Sequence, residues 1–330
     1  MKSRNDMTGQ KPIEIGLVIY PGAQMAAVLG MTDFLTLAGR IASEQANGRQ
    51  IPSLRISHWQ LQNGEDIPVR VLDTAPGVEG TPNVLIMPPR LDAPIEPHEA
   101  APFVNWLLER HGTGTLLGSI CTGAFLLGET GLLSGRCITT HWTFEETFQA
   151  RFPEARTDAD RLLIDDGDII TAGGAMAWTD LVLKLIDRHL GPVVMMETAR
   201  RLLVDPPGRE QSYYSAFSPR LNHGDGAILK VQHWLQATEA KDGDLATLAT
   251  QAGLEERTFL RRFQKATGLT TTEYCQRLRV GKARELLQSS PLTADQVAWE
   301  VGYSDLGAFR KVFTRIVGLT PTEYRKPFRA

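Results

Sequence analysis

The sequence predicts two domains of different class. An α/β doubly wound domain at the N-terminal end precedes an all-α domain with two helix-turn-helix motifs. Three observations carry this. Upstream of residue 190, short apolar runs alternate with amphipathic helical stretches, the pattern of a sheet covered on both faces. Between 245 and 328 one pattern is written twice, and a repeated unit names an architecture. Charge is also divided unevenly. Residues 241–330 hold 15 Lys and Arg against 10 Asp and Glu, a net +5, whereas residues 1–240 hold 20 against 28, a net −8. The downstream part can approach phosphate and the upstream part would be repelled by it. A chain of 330 residues suits two domains, and 42% hydrophobic residues let both bury cores.

The upstream elements follow from periodicity. Glu14 to Tyr20 is a nearly all-apolar run closed by Pro21-Gly22, a buried strand. Residues 24–42 make a helix with Val28, Met31, Phe34, Leu35 and Ala38 inward. Leu54 to Leu61 is a strand, with Val69 to Asp73 a short one beside it. Asn83 to Met87 is a buried strand ended by Pro88-Pro89, and Glu99 to His111 a helix with Phe103, Trp106 and Leu107 inward. Thr115 to Ile120 is a strand that leads into a helix ending near Glu129. Arg136 to Thr140 is a strand and Trp142 to Arg151 a helix. Leu162 to Ile170 is a hairpin around Asp166-Gly167. Asp165, Asp166 and Asp168 have the composition of calcium ligands but not the twelve-residue loop, so a turn is expected. Ala175 to Leu190 and Val193 to Leu203 are helices, and Met25, Met176, Met195 and Met196 are assigned to the core. A linker over 204–225 holds Pro206-Pro207-Gly208, Ser212 and Ser218-Pro219.

One junction upstream is chemically suggestive. Gly118-Ser119-Ile120-Cys121-Thr122-Gly123-Ala124 places Cys121 on a sharp strand-to-helix turn at the C-terminal edge of the sheet, where open α/β sheets bind ligands and where nucleophiles are held. A helix N-terminus there favours thiolate. His141 follows just after a strand and is expected at the same edge. Gly173-Gly174 lets a ligand approach backbone. The expected effector pocket is therefore Cys121, Thr122, His141, Trp142, Gly173 and Gly174. Cys137 and Cys275 are expected to pack as small apolar residues. Three cysteines without paired spacing argue against a disulfide scaffold or a zinc site. No metal ligand set and no cofactor motif is assigned.

Downstream, the first copy reads Leu248-Ala249, then Gly253, then a helix from Thr258 to Ala266 with Phe259 and Phe263 inward, then Gly268-Leu269-Thr270-Thr271-Thr272-Glu273-Tyr274. The second reads Val297-Ala298, Gly302, Phe309 and Phe313, then Gly318-Leu319-Thr320-Pro321-Thr322-Glu323-Tyr324. Each is a helix-turn-helix, whose second helix enters the DNA major groove. The first such helix carries Arg257, Arg261, Arg262 and Lys265 outward. We assign DNA contacts to Arg257, Thr258, Arg261 and Lys265, and to Ser304, Arg310 and Lys311 on the second copy. Arg and Lys suit guanine edges or phosphates. Leu306 and Gly307 open the second helix with little hydrogen-bonding capacity, so that copy is expected to position rather than read. Thr272 to Ser289 joins the copies as one helix.

The segment 226–328 resembles the AraC/XylS-type DNA-binding domain. Gly302-Tyr303-Ser304-Asp305, Phe309, Phe313, Gly318-Leu319-Thr320-Pro321 and Tyr324-Arg325 carry the likeness. Residues 12–190 resemble the class I glutamine-amidotransferase-like (PfpI-type) domain, through Tyr20-Pro21-Gly22, Ile120-Cys121-Thr122-Gly123-Ala124, Gly131 to Arg136 and Thr139-Thr140-His141-Trp142. Residues 191–225 then form a helix and linker. The whole chain resembles GlxA-type transcriptional regulators. That resemblance implies a promoter-binding regulator, usually an activator, that answers to a small effector such as an amino acid or amine. It implies a homodimer formed through the N-terminal domain and admits RNA polymerase as a partner. The family's enzymes carry an acid on the segment after the first strand, where this chain has Ala27. No catalytic residue is therefore assigned and the chain is expected not to be an enzyme. The alternative is a cysteine-dependent amidase or hydratase with an accessory DNA-binding domain. A third reading is a redox sensor acting through Cys121. Residues 1–11 are polar and lack a signal-peptide core. No apolar run approaches the ~20 residues of a membrane span. A cytoplasmic protein is expected.

Overall fold

The computed structural model describes residues 11–46, 52–62, 64–65, 67–206, 208, 210–214, 217, 219, 221, 223–241 and 243–328. The polar N-terminus up to Gln10, and Pro207 and Ser218 of the expected linker, lie outside the described residues. The chain divides into two units, Met1–Gln211 and Ser212–Ala330.

In the first unit, β1 (Ile13–Ile19), α1 (Met25–Gln45), β2 (Leu54–Gln60), β3 (Val69–Asp73), β4 (Val84–Met87), α2 (Pro97–Gly112), β5 (Leu116–Ile120) and α3 (Gly123–Gly128) come first. They are followed by β6 (Cys137–Ile138), α4 (Glu145–Arg151), β7 (Arg156–Thr157), β8 (Leu163–Asp165), β9 (Ile169–Ala172), α5 (Trp178–Leu190) and α6 (Pro192–Leu202). Seven strands form one sheet in the order β3-β2-β1-β4-β5-β9-β8. The five inner strands are parallel. Both edges are antiparallel, which qualifies the expected parallel sheet. The reason at one edge is the Asp166-Gly167 turn: a connection that short joins only antiparallel strands. Residues alternate between two cores with the period of a pleat. Leu17, Val84 and Ile86 face α1, α5 and α6. Val18, Leu85 and Met87 face α2, α3 and α4.

Several expectations are corrected. The strand expected over Arg136 to Thr140 is only β6, paired with β7 outside the main sheet. Thr139 has other commitments: its N–H donates to Thr171 Oγ1 and its hydroxyl to Arg161 O, so the chain leaves the ladder there. The helix expected from Trp142 opens as a 3-10 turn over Trp142–Phe144, capped by His141. The long helix expected from Ala175 starts at Trp178. Met25, Met176 and Met196 are exposed, not core, and only Met195 packs partly against the buried cluster. By length and composition α1 could cross a membrane, although Asp33, Arg40 and Glu44 interrupt its apolar run. Eight of its residues, from Ala27 to Ala42, are buried in the core, as a helix lying on a sheet requires.

The second unit contains α7 (Gly226–Ala237), α8 (Leu245–Ala252), α9 (Glu256–Thr267), α10 (Thr271–Ser289), α11 (Ala294–Glu300), α12 (Leu306–Val317) and α13 (Pro321–Phe328). It holds two small cores. Phe259, Phe263, Tyr274 and Cys275 belong to one, with Ile228, Val231 and Leu248. Phe309, Phe313 and Tyr324 belong to the other, with Val280, Ala283, Leu287 and Val297. Helix α10 serves both: its N-terminal half closes the first core and its C-terminal half the second.

Candidate functional site

The strand-to-helix elbow is present. Cys121 has φ +54, in the left-handed region that costs an L-residue roughly 1–2 kcal/mol. The turn is held from three sides. Cys121 N–H donates to Ala172 O at 2.7 Å, and Thr140 Oγ1 donates to Cys121 O at 2.8 Å. Gly123 allows α3 to start against β4, since a Cβ there would stand 2.4 Å from Met87 O.

The thiol is nevertheless sealed. Cys121 is 3% exposed, and burial pushes its pKa up to about 11 against the pull of the Thr122 and Gly174 N–H groups. This corrects the expectation of a thiolate. A six-residue helix supplies a weak dipole, and desolvation of the charged form outweighs it. Thr122 is also fully buried; its hydroxyl accepts from Arg90 N–H at 2.6 Å and fixes the loop after β4. His141 stacks on Trp142 at 5.5 Å, and its Nδ1 pairs with Thr143 Oγ1 at 2.7 Å. Burial lowers its pKa. Among the described residues no hydrogen bond joins Cys121 and His141. Ala27 is fully buried and brings no carboxylate. The elbow thus lacks the nucleophile–base contact that acyl chemistry needs.

Of the expected pocket residues, Trp142 and Gly173 converge on a group that sequence reasoning missed. Gln211 is 3% exposed. Its Nε2 donates toward Thr139 Oγ1 (2.9 Å), Thr140 O (2.8 Å) and Arg161 O (3.0 Å), and its Oε1 accepts from Trp142 N–H (3.3 Å). A Cβ on Gly173 would stand 1.9 Å from that Nε2, so the missing side chain is what admits the carboxamide. A glutamine that opens a three-residue 3-10 turn carries no periodic signal. The aspartates of the hairpin are ion-paired: Asp165 with Lys184 and Arg188, Asp166 and Asp168 with Arg136.

The downstream surface is built by repetition. Gly253 and Gly302 end α8 and α11 with φ +64 and +84, the left-handed turn that a β-carbon opposes. Phe259 and Phe263 meet at 5.4 Å, Phe309 and Phe313 at 5.6 Å. Phe263 meets Tyr274 edge-on at 5.3 Å, and Phe313 meets Tyr324 at 5.7 Å. These inward rings turn the opposite face of α9 and α12 to solvent. Arg257, Arg261 and Lys265 are exposed at intervals of four, one stripe along α9, with Thr258 half-buried beside it. Arg262, expected to share that face, instead bonds Asp225 at the start of α7, at 2.6 and 2.9 Å. On α12, Lys311 is exposed and Ser304 lies exposed in the preceding turn. Arg310 pairs with Asp295 of α11 at 2.8 Å, with both side chains largely exposed. Arg315 bonds Gln276 of α10.

The helix-turn-helix domain family profile matches residues 248–327, and the DJ-1/PfpI family profile matches residues 73–188. The HTH-type transcriptional regulator GlxA of Rhizobium meliloti (strain 1021) is 30% identical over 220 residues, 64% of this chain and 66% of that one. GbdR of Pseudomonas aeruginosa, also named an HTH-type transcriptional regulator, is 26% identical over 224 residues, 68% and 61% of the two chains. The HTH-type transcriptional activator RhaR of Salmonella typhi is 35% identical over 81 residues, 24% and 29%. The matched stretch covers less than two thirds of each relative's length. The chain thus carries a DJ-1/PfpI region followed by a helix-turn-helix region, and it is similar to proteins named HTH-type transcriptional regulators, GlxA and GbdR among them.

Proposed function

We propose that this protein is a sequence-specific DNA-binding transcription regulator controlled by a small metabolite. One observation carries the reading: two helix-turn-helix units share one scaffold, and each turns cationic side chains outward on its second helix. Helix α10, 19 residues long, spans roughly 28 Å at 1.5 Å per residue, which suits helices set near the ~34 Å repeat of successive major grooves. Helix α9 reads bases through Arg257 and Arg261, supported by Thr258 and Lys265. Ser304, Arg310 and Lys311 hold the second groove by its phosphates. The first unit binds the effector, of the amino acid or amine class, and pairs two copies. The protein works in the cytoplasm and activates transcription through RNA polymerase. The relative named an activator supports that direction.

The test is selection of binding sequences from a random duplex pool with the full chain, followed by fluorescence anisotropy on the winners. We expect two short enriched blocks about 10 base pairs apart. A pool that stays random after selection overturns the reading. The elbow favours a second reading, turnover at Cys121, and its sealed thiol opposes it. Cys121→Ser is expected to leave DNA binding unchanged. A hydrolysis of amides by the purified protein that this substitution abolishes would reverse the ranking.

A further inference from the structure

The niche that holds Gln211 is more specific than packing requires. Three oxygen acceptors, Thr139 Oγ1, Thr140 O and Arg161 O, converge on one nitrogen within 3.0 Å. Among the described residues a single donor, Trp142 N–H, faces the adjacent oxygen. A planar group with an NH2 and a carbonyl satisfies both sides at once. An ammonium leaves the Trp142 N–H unpaired, and a carboxylate sets oxygen against oxygen. The niche also adjoins the elbow: Thr140 Oγ1 holds Cys121 O, and Gly173 and Gly174 follow the Ala172 carbonyl that Cys121 N–H meets. Space for the carboxamide exists because position 173 has no side chain, and Gly173 lacks the positive φ that would by itself require glycine.

The occupant belongs to the segment that leaves the first unit. Gln211 is that unit's last residue. The next two are committed within the second unit, where Ser212 Oγ donates to Val317 O at 3.0 Å and Arg284 donates to Tyr213 O at 2.5 Å. Gln211 therefore sets where the connection begins.

We propose that this niche is a binding site for small molecules ending in a primary carboxamide, and that Gln211 is its tethered occupant. A free carboxamide competes with the Gln211 side chain, and its binding releases the start of the connecting segment. This names the ligand class and the switch for the regulator proposed above, and it rests on that reading only for the effect on DNA. A tethered group competes at an effective concentration in the millimolar range or above, so the free site is masked in the resting chain.

The experiment is calorimetric titration of full-length protein with propionamide and with L-glutamine, using propionate and L-glutamate as controls. Gln211→Ala empties the niche and should bind both amides at least about tenfold more tightly than the wild type, with no gain for the acids. Adding Gly173→Ala to that variant places a methyl where the nitrogen sits, and should abolish the gain. If Gln211→Ala does not fold, Gln211→Glu takes its place: it keeps the shape but turns a carboxylate toward three oxygens, and so opens the niche. A folded variant that binds amides no better than the wild type overturns the site. Equal amide binding with and without Gly173→Ala overturns its location. Amide binding that leaves DNA anisotropy titrations unchanged overturns the switch but not the site. A full chain that selects no DNA sequence defeats the regulator reading while leaving the calorimetry intact.

Discussion

The two helix-turn-helix copies agree inside and differ outside. Ring distances in the two cores match to within a few tenths of an ångström, and both turn glycines have positive φ. The outward faces have diverged. Helix α9 exposes Arg257, Arg261 and Lys265 in one stripe, whereas α12 opens on Leu306, Gly307 and Ala308 and ties Arg310 to Asp295. The second copy also spends one more residue between its turn glycine and its first phenylalanine. That extra length lets Tyr303 lie against Phe309 at 5.5 Å, under the guanidinium of Arg279. Packing constrains the core of a duplicated unit, because each ring must fill a fixed volume. Solvent does not constrain the outer face, so a duplicated motif can divide reading from positioning.

The largest expected effect tests the shared interior. Phe263→Ala and Phe313→Ala each remove a fully buried ring and should each destabilise the helical unit by about 3–5 kcal/mol. Urea unfolding of the full chain, followed by circular dichroism, measures this. Equal losses support equivalent scaffolds. A loss confined to one variant would show that only one copy has a cooperative core.

The next effect tests the divided exterior. Arg261→Ala should cost about 1–3 kcal/mol of specific DNA binding and relax preference at one base position. Lys311→Ala should weaken all sequences alike and reduce the salt slope by about one. Anisotropy titrations at several salt concentrations separate the two behaviours. If Lys311→Ala changes base preference while Arg261→Ala does not, the roles are reversed.

Much of this was legible in the sequence, for a physical reason. The phenylalanines at i, i+4, the turn glycines and the apolar runs are local patterns fixed by helix and strand periods. The elbow was legible too, because a strand, a cysteine and a helix are contiguous. What escaped depends on contacts distant in sequence. Gln211 meets Thr139 across 72 residues, and Arg262 meets Asp225 across 37. The charge state of Cys121 escaped for the same reason: a helix N-terminus can be seen in a sequence, whereas the packing that dehydrates a thiol cannot. Of the expected pocket, Trp142 and Gly173 face a common group, while Thr122 is committed to the loop after β4.

A smaller effect tests the turns. Among the described residues, Gly253→Ala meets no atom within 4 Å, and Gly302→Ala meets only the Arg279 guanidinium at ordinary contact distance. Both penalties are therefore backbone penalties, about 1 kcal/mol each. Thermal denaturation should place the two variants within a degree or two of each other. A much larger loss at Gly302 would mean that the longer second turn depends on the Arg279 contact.

The smallest effect concerns two arginines that look alike in sequence. Arg262 is bonded by both forks to Asp225, and that hydrogen-bonded pairing holds the Asp225 carboxyl below the usual carboxylate range. A depressed folded-state pKa contributes stability that is present above the unfolded value of 3.8 and is lost as pH falls through the folded value. Arg262→Gln should therefore lower the melting temperature slightly at pH 7, and the difference from the wild type should shrink below pH 3.8 as Asp225 protonates. Base preference should not change, because Arg262 is committed within the fold. Arg310→Gln removes only an exposed pair with Asp295, so its melting temperature should stay at the wild-type value while DNA affinity falls. Melting curves across pH, read beside DNA titrations, assign one arginine to the scaffold and the other to the ligand. The assignment fails if Arg262→Gln weakens DNA binding with no pH-dependent change in melting.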